Sequence, residues 1–150
     1  MTTTIDFQTC PEDYRHWTLE IDGAVARLNM DVDPEGGLFP GYQLKMNSYD
    51  LGVDIELYDA IQRLRFEYPE VKAVVLSSAL ERMFCAGANI PELEERTLVS
   101  EMGNDATLRK ELPTTIERLA KPSVAAINGY CYGAGLEFAM GSTVRIASDN

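Results

Sequence analysis

Glu137 sits in a stretch whose residue types and spacing suit proton transfer beside an anion: Ile127-Asn128-Gly129-Tyr130-Cys131-Tyr132-Gly133-Ala134-Gly135-Leu136-Glu137-Phe138-Ala139-Met140. The apolar run just before it, 123–127, reads as a buried strand, and the residues after Gly135 suit a helix. Glycines at 129, 133 and 135 let the backbone turn sharply and let a ligand lie against it. The first N–H groups of such a helix have no intrahelical partner and face whatever lies over its N-terminus. Three residues beyond Ala134, Glu137 falls on the same helix face as the turn. A carboxylate there can move protons beside a developing oxyanion. The plainer alternative is a Gly-rich α/β turn followed by a Glu that complements the helix dipole. This stretch alone does not separate the two.

A second stretch of the same kind is Met83-Phe84-Cys85-Ala86-Gly87-Ala88-Asn89-Ile90-Pro91-Glu92. It follows another apolar strand candidate, 71–77, and precedes another helical pattern. Phe84-Cys85-Ala86-Gly87-Ala88-Asn89-Ile90 resembles the FxAGADI signature of the crotonase (enoyl-CoA hydratase/isomerase) superfamily. Ala125-Ala126-Ile127-Asn128-Gly129 through Gly133-Ala134-Gly135-Leu136-Glu137 resembles its second signature, AxINGxxxGGGxE, and the order and separation of the two also match. The resemblance covers residues 17–150.

The resemblance implies that the N–H groups of Ala88 and Ala134 form an oxyanion hole for the thioester carbonyl of an acyl-CoA, with Glu137 as acid or base. It also implies a substrate-binding wall that includes Cys85, Ala86, Gly87, Asn89, Ile90 and Gly133. Asn89 stands where the family usually has Asp, which keeps capping ability but not charge. Ala134 stands where Gly is frequent. The expected fold is α/β, a crotonase-like spiral of ββα units with a largely parallel sheet, truncated. Residues 1–16 are an N-terminal arm, and 17–150 the N-terminal part of the domain. A second acid, and the helical part that completes homo-oligomers, would lie beyond residue 150.

Within the superfamily, Pro11 to Trp17, the loop Gly36-Gly37-Leu38-Phe39-Pro40-Gly41 and the run Leu44 to Ile55 are most similar to benzoyl-CoA-dihydrodiol lyases. That similarity implies ring cleavage of 2,3-epoxy- or dihydrodiol-benzoyl-CoA to formate and an adipyl-type semialdehyde thioester. No metal is expected, and no cofactor beyond the CoA of the substrate. A general enoyl-CoA hydratase or isomerase, or a crotonase-fold piece without a complete site, are the alternatives.

The elements needed to position these residues are legible independently. Trp17 to Ile21 and Ala24 to Asn29 flank Asp22-Gly23, a hairpin signal that suits a type I′ turn. Residues 30–45 hold two prolines, three glycines and three acids, and so form a long loop. Its one basic residue, Lys45, is a candidate for a CoA phosphate, as is Arg82 ahead of the first motif; a solvated side chain is the alternative for each. From Gly52 to Glu67 the apolar positions Val53, Leu57, Ala60, Ile61 and Leu64 mark an amphipathic helix that Pro69 closes. The run 71–77 is continuous rather than alternating in its apolar residues, as in a parallel strand covered on both faces. Pro91 to Leu112 reads as two helical pieces over the acyl pocket, and Thr114 to Ala120 as a short helix ended ahead of Pro122. A last strand is expected over Thr143 to Ser148.

With 150 residues and 45% of them hydrophobic, the chain can bury one core. A net charge of -11 argues against nucleic-acid or anionic-membrane partners. Three scattered cysteines form no metal spacing and no disulfide framework, which points to a reducing, cytoplasmic setting. Cys85 and Cys131 read as small buried thiols beside the two turns. His16, the single histidine, reads as an edge or surface residue.

Overall fold

The structure, a computed structural model, describes residues 5–91, 114 and 116–149. The expected hairpin is present as β1 (Trp17–Asp22) and β2 (Val25–Met30), antiparallel from Trp17 against Met30 to Asp22 against Val25. That register makes Gly23–Ala24 the turn. Gly23 has φ 57° and Ala24 has no positive φ, so the turn is not the expected type I′, which needs both.

Along the chain follow β3 (Ser48–Tyr49), α1 (Leu51–Phe66), β4 (Ala73–Ser78), β5 (Met83–Cys85), β6 (Gly87–Ala88), β7 (Ser123–Ile127), β8 (Tyr130–Cys131), α2 (Ala134–Met140) and β9 (Val144–Ala147). The main sheet runs β1-β2-β4-β7-β9, and every pair after the hairpin is parallel. This is the largely parallel α/β arrangement expected, since consecutive parallel strands require long crossovers. Two short parallel pairs that sequence reading did not foresee, β3 with β6 and β5 with β8, stand apart from that sheet.

Helix α1 packs its expected stripe inward: Val53, Leu57, Ala60, Ile61 and Leu64 are all buried. Each large apolar side chain so buried contributes about 1.5–3 kcal/mol. Buried Asp50 starts the helix, one oxygen accepting from Val53 N–H at 3.0 Å. Its other oxygen accepts from Leu38 N–H at 2.9 Å and from the Tyr42 hydroxyl at 2.7 Å. One carboxylate therefore caps the helix and gathers the 31–47 loop against it. The loop is long, as expected, but not loose, because Val32 and Leu44 are buried in the core.

The arm runs against the same helix. Glu56 accepts from the N–H groups of Arg15 and His16 at 2.8 Å and of Trp17 at 3.2 Å. His16 is only 2% exposed, which corrects the expectation of a surface residue. The reason is tertiary: residues 33–38 fold over it, and a Cβ at Gly36 would meet His16 Cε1 at 2.6 Å. The helical pieces expected over 91–112 lie almost wholly outside the described residues. Of the short helix expected at 114–120, Arg118 N–H bonds to Thr114 O at 2.9 Å, and Ala120 leaves the helical region at φ 60°.

Asp50→Ala should destabilise the fold by about 1–2 kcal/mol from the lost cap alone, with more from the stranded Leu38 N–H. Urea unfolding would read this as a lower midpoint at unchanged slope.

Candidate functional site

The two Gly-rich turns, far apart in sequence, meet in space. Tyr132 N–H donates to Cys85 O at 2.9 Å, and Tyr130 N–H to Arg82 O at 3.1 Å. Gly87, at φ 90°, lies against the second turn: a Cβ there would sit 2.8 Å from Tyr132 O and 3.5 Å from Ala134 N. From the other side, a Cβ on Gly133, at φ 48°, would lie 3.9 Å from Gly87 Cα. Gly135 allows a further close approach, since its Cβ would strike Cys85 Cβ at 2.6 Å. Glycine is required at 87 by both space and backbone angle, and at 133 by backbone angle alone.

The hydrogen bonds fix where the flanking amides point. Asn89 N–H donates to Tyr49 O on β3 at 2.8 Å. Successive N–H groups of an extended chain alternate sides, so Ala88 N–H faces away from β3. In the second turn Gly135 N–H bonds to Tyr132 O and Glu137 N–H to Gly133 O. Ala134, the first residue of α2, meets no backbone acceptor for its N–H among the described residues.

Phe138 anchors α2. Its ring stacks on Phe84 at 5.5 Å and on Tyr49 at 6.0 Å, and meets Trp17 edge-on at 6.1 Å. Such pairs add roughly 0.5–1.5 kcal/mol each beyond their burial. With Phe138 turned into the core, its neighbour Glu137 is exposed.

The other residues expected at the site separate into two groups. Ala86, Gly87, Ala88, Ile90 and Gly133 lie on or beside the two turns, and Ile90 is exposed. Cys85 and Asn89 do not present their side chains. Cys85 is buried, its thiol donating to Asn47 O at 3.1 Å, and burial pushes its pKa up to about 12. Burial likewise pushes Cys131 up to about 11. Both thiols are protonated at neutral pH and neither is a ready nucleophile. Buried Asn89 spends its amide on Gln43 O at 2.8 Å and Ser48 Oγ at 3.2 Å, tying the loop to the first motif.

Neither candidate cation shares a pocket lining with Gly87 or Gly133 among the described residues. Lys45 lines an open groove of about 600 Å³ with Glu35, Gly41, Tyr42, Gln43 and Pro91. Arg82 lines a recess of about 180 Å³ at the far end of β5 and β8. Gly129 is pressed on the Arg82 backbone, where a Cβ would come within 2.2 Å.

Comparison with known proteins agrees with this geometry. Residues 43–150 match the enoyl-CoA hydratase/isomerase family. The chain belongs to the crotonase superfamily. A benzoyl-CoA-dihydrodiol lyase from Aromatoleum evansii is 46% identical over 140 residues, 91% of this chain and 25% of the relative. An (E)-benzylidenesuccinyl-CoA hydratase from Thauera aromatica is 34% identical, covering 89% of this chain and 47% of the relative. Among solved structures, DspI of Pseudomonas aeruginosa superposes with a TM-score of 0.71 at 27% identity, covering 91% of this chain and 50% of that one. This crotonase chain thus spans a quarter to about half of the length of these relatives.

Sequence reading gave no positioning role to Asn47, Tyr49, Asp50 or Phe138, which hold the two crotonase turns in place. Local signals existed for two of them: Asn47 is a residue type that tolerates left-handed backbone in a loop, and Asp50 is a helix-capping type directly ahead of α1.

Gly87→Ala should destabilise the protein by about 1–3 kcal/mol, because the new methyl meets backbone rather than a movable side chain. Thermal unfolding compared with wild type would show it as a lower midpoint.

Proposed function

We propose that the chain supplies the thioester-binding half of an acyl-CoA enzyme. In this reading Ala88 and Ala134 donate their N–H groups to the thioester oxygen, and Glu137 transfers the proton. The observation that carries it is the seating of Gly87 on Tyr132–Ala134, which brings the two motif turns into contact. As charge builds on the thioester oxygen, two fixed amides stabilise it without reorganising. Exposed Glu137, one turn along α2 from Ala134, follows from the same arrangement.

For the substrate we propose 2,3-epoxy- or dihydrodiol-benzoyl-CoA, opened with water to formate and an adipyl-type semialdehyde thioester. The similarity to a benzoyl-CoA-dihydrodiol lyase supports this reading. A general enoyl-CoA hydratase is the second reading, favoured by the 42% identity over 81 residues to a short-chain-enoyl-CoA hydratase from Clostridium acetobutylicum. The full-length protein decides between them: ring opening of 2,3-epoxybenzoyl-CoA should far exceed hydration of crotonyl-CoA, and the reverse order would overturn the lyase reading. The proposal invokes no metal, and no cofactor other than the CoA carried by the substrate.

Ala134→Pro deletes one donor at a helix position that accepts proline. It should lower kcat by about 10²–10³, the effect of removing one oxyanion donor. Steady-state kinetics on a variant with wild-type circular dichroism would test the assignment, which unchanged turnover would refute. Glu137→Gln should lower kcat by about 10²–10⁴ and leave the Kd for benzoyl-CoA, read by calorimetric titration, nearly unchanged.

A further inference from the structure

We infer that Asn47 is a positioning residue for the oxyanion site, its buried amide setting where Ala88 presents its N–H. The inference rests on the acyl-CoA reading above and adds a residue that neither glycine motif contains. Met46 and Asn47 both adopt left-handed backbone, at φ 57° and 52°. This pair turns the chain out of the loop and into β3. Such backbone is uncommon for non-glycine residues and persists where its surroundings hold it.

The Asn47 side chain does the holding. It is 2% exposed, and its Oδ1 accepts from Val32 N–H at 3.0 Å. Its Nδ2 lies 3.2 Å from Met30 O, 2.9 Å from Ser78 Oγ and 3.2 Å from Phe84 O. One amide therefore joins the end of β2, the end of β4 and the middle of β5. Its own backbone O accepts from the Cys85 thiol, and Met46 O accepts from Ala86 N–H at 3.1 Å.

With Tyr49 O taking Asn89 N–H, segment 46–49 meets 84–89 at residues 84, 85, 86 and 89. Ala88 is carried between those attachments and β3. Its N–H cannot shift relative to the core unless segment 46–49 shifts too, and Asn47 is what fixes that segment to the main sheet. Removing the amide leaves Val32 N–H and the carbonyls of Met30 and Phe84 without this partner, an arrangement that favours local rearrangement.

Asn47→Gly tests this in the full-length protein, because glycine takes the left-handed backbone freely and only the amide is lost. The probe is benzoyl-CoA labelled with ¹³C at the thioester carbonyl. In wild type the bound carbonyl should move downfield of its free position, reading polarisation by the two amides. In Asn47→Gly it should return part of the way. The kcat for 2,3-epoxybenzoyl-CoA should fall on the order of 10-fold, short of the loss of a whole donor, with KM changed less than about twofold.

A folded variant with the wild-type carbonyl shift would overturn the inference, whatever its kcat, because a merely structural role does not move that signal. If Asn47→Gly does not fold, Ser78→Ala removes one acceptor of the same amide. It should move the carbonyl in the same direction by less, and a wild-type shift there would equally overturn the inference. Absence of any shift in the wild-type protein would instead remove the acyl-CoA reading, and this inference with it.

Discussion

Two turns can be seated backbone on backbone only where the chains that carry them approach more closely than side chains permit. In this protein that approach happens at Gly87. A methyl group there would stand 2.8 Å from Tyr132 O, and φ of 90° excludes most other residues in any case. Everything else in the site follows from that contact. The pairing of β5 with β8 brings the turns alongside one another, and Gly135 lets α2 settle on Cys85. Apolar side chains supply the cohesion, while missing ones supply the geometry.

Holding two loops at fixed height requires a second layer of constraints. Phe138 clamps α2 from beneath through Trp17, Tyr49 and Phe84, so residues from four parts of the chain share one aromatic cluster. Asp50 and Asn89 then draw the 31–47 loop onto the start of α1 and onto the first motif. Their polar atoms are matched inside the protein, as buried polar groups must be. The loop is long because it crosses from the hairpin to the helix, yet hydrogen bonds at Leu38, Tyr42 and Gln43 make it part of the scaffold.

Much of this was readable from residue order. Apolar periodicity located α1, and continuous apolar runs located β4 and β7, within two residues of where they lie. The glycine patterns around 87 and 133 pointed to the two turns. What the sequence did not disclose depends on contacts between distant segments. His16 looked like a surface residue because nothing near it in sequence covers it, whereas residues 33–38 do so in space. Cys85 and Asn89 sit inside the first motif, yet their side chains face inward, a direction that a motif cannot specify. The short β3–β6 and β5–β8 pairs were invisible for the same reason, strands of two or three residues having no periodicity to detect.

The parallel sheet also has a consequence in time. Gly87 reaches Tyr132 and Ala134 only when β7 has taken its place beside β4, with Val74 opposite Ser123. Parallel pairing closes long loops and is slow relative to helix or hairpin formation. As the chain leaves the ribosome from its N-terminus, the hairpin, α1 and β4 emerge while the first turn still has no counterpart. The contact between the two turns therefore forms at a late point in folding, and until then the half-made chain carries the first turn with nothing seated against it.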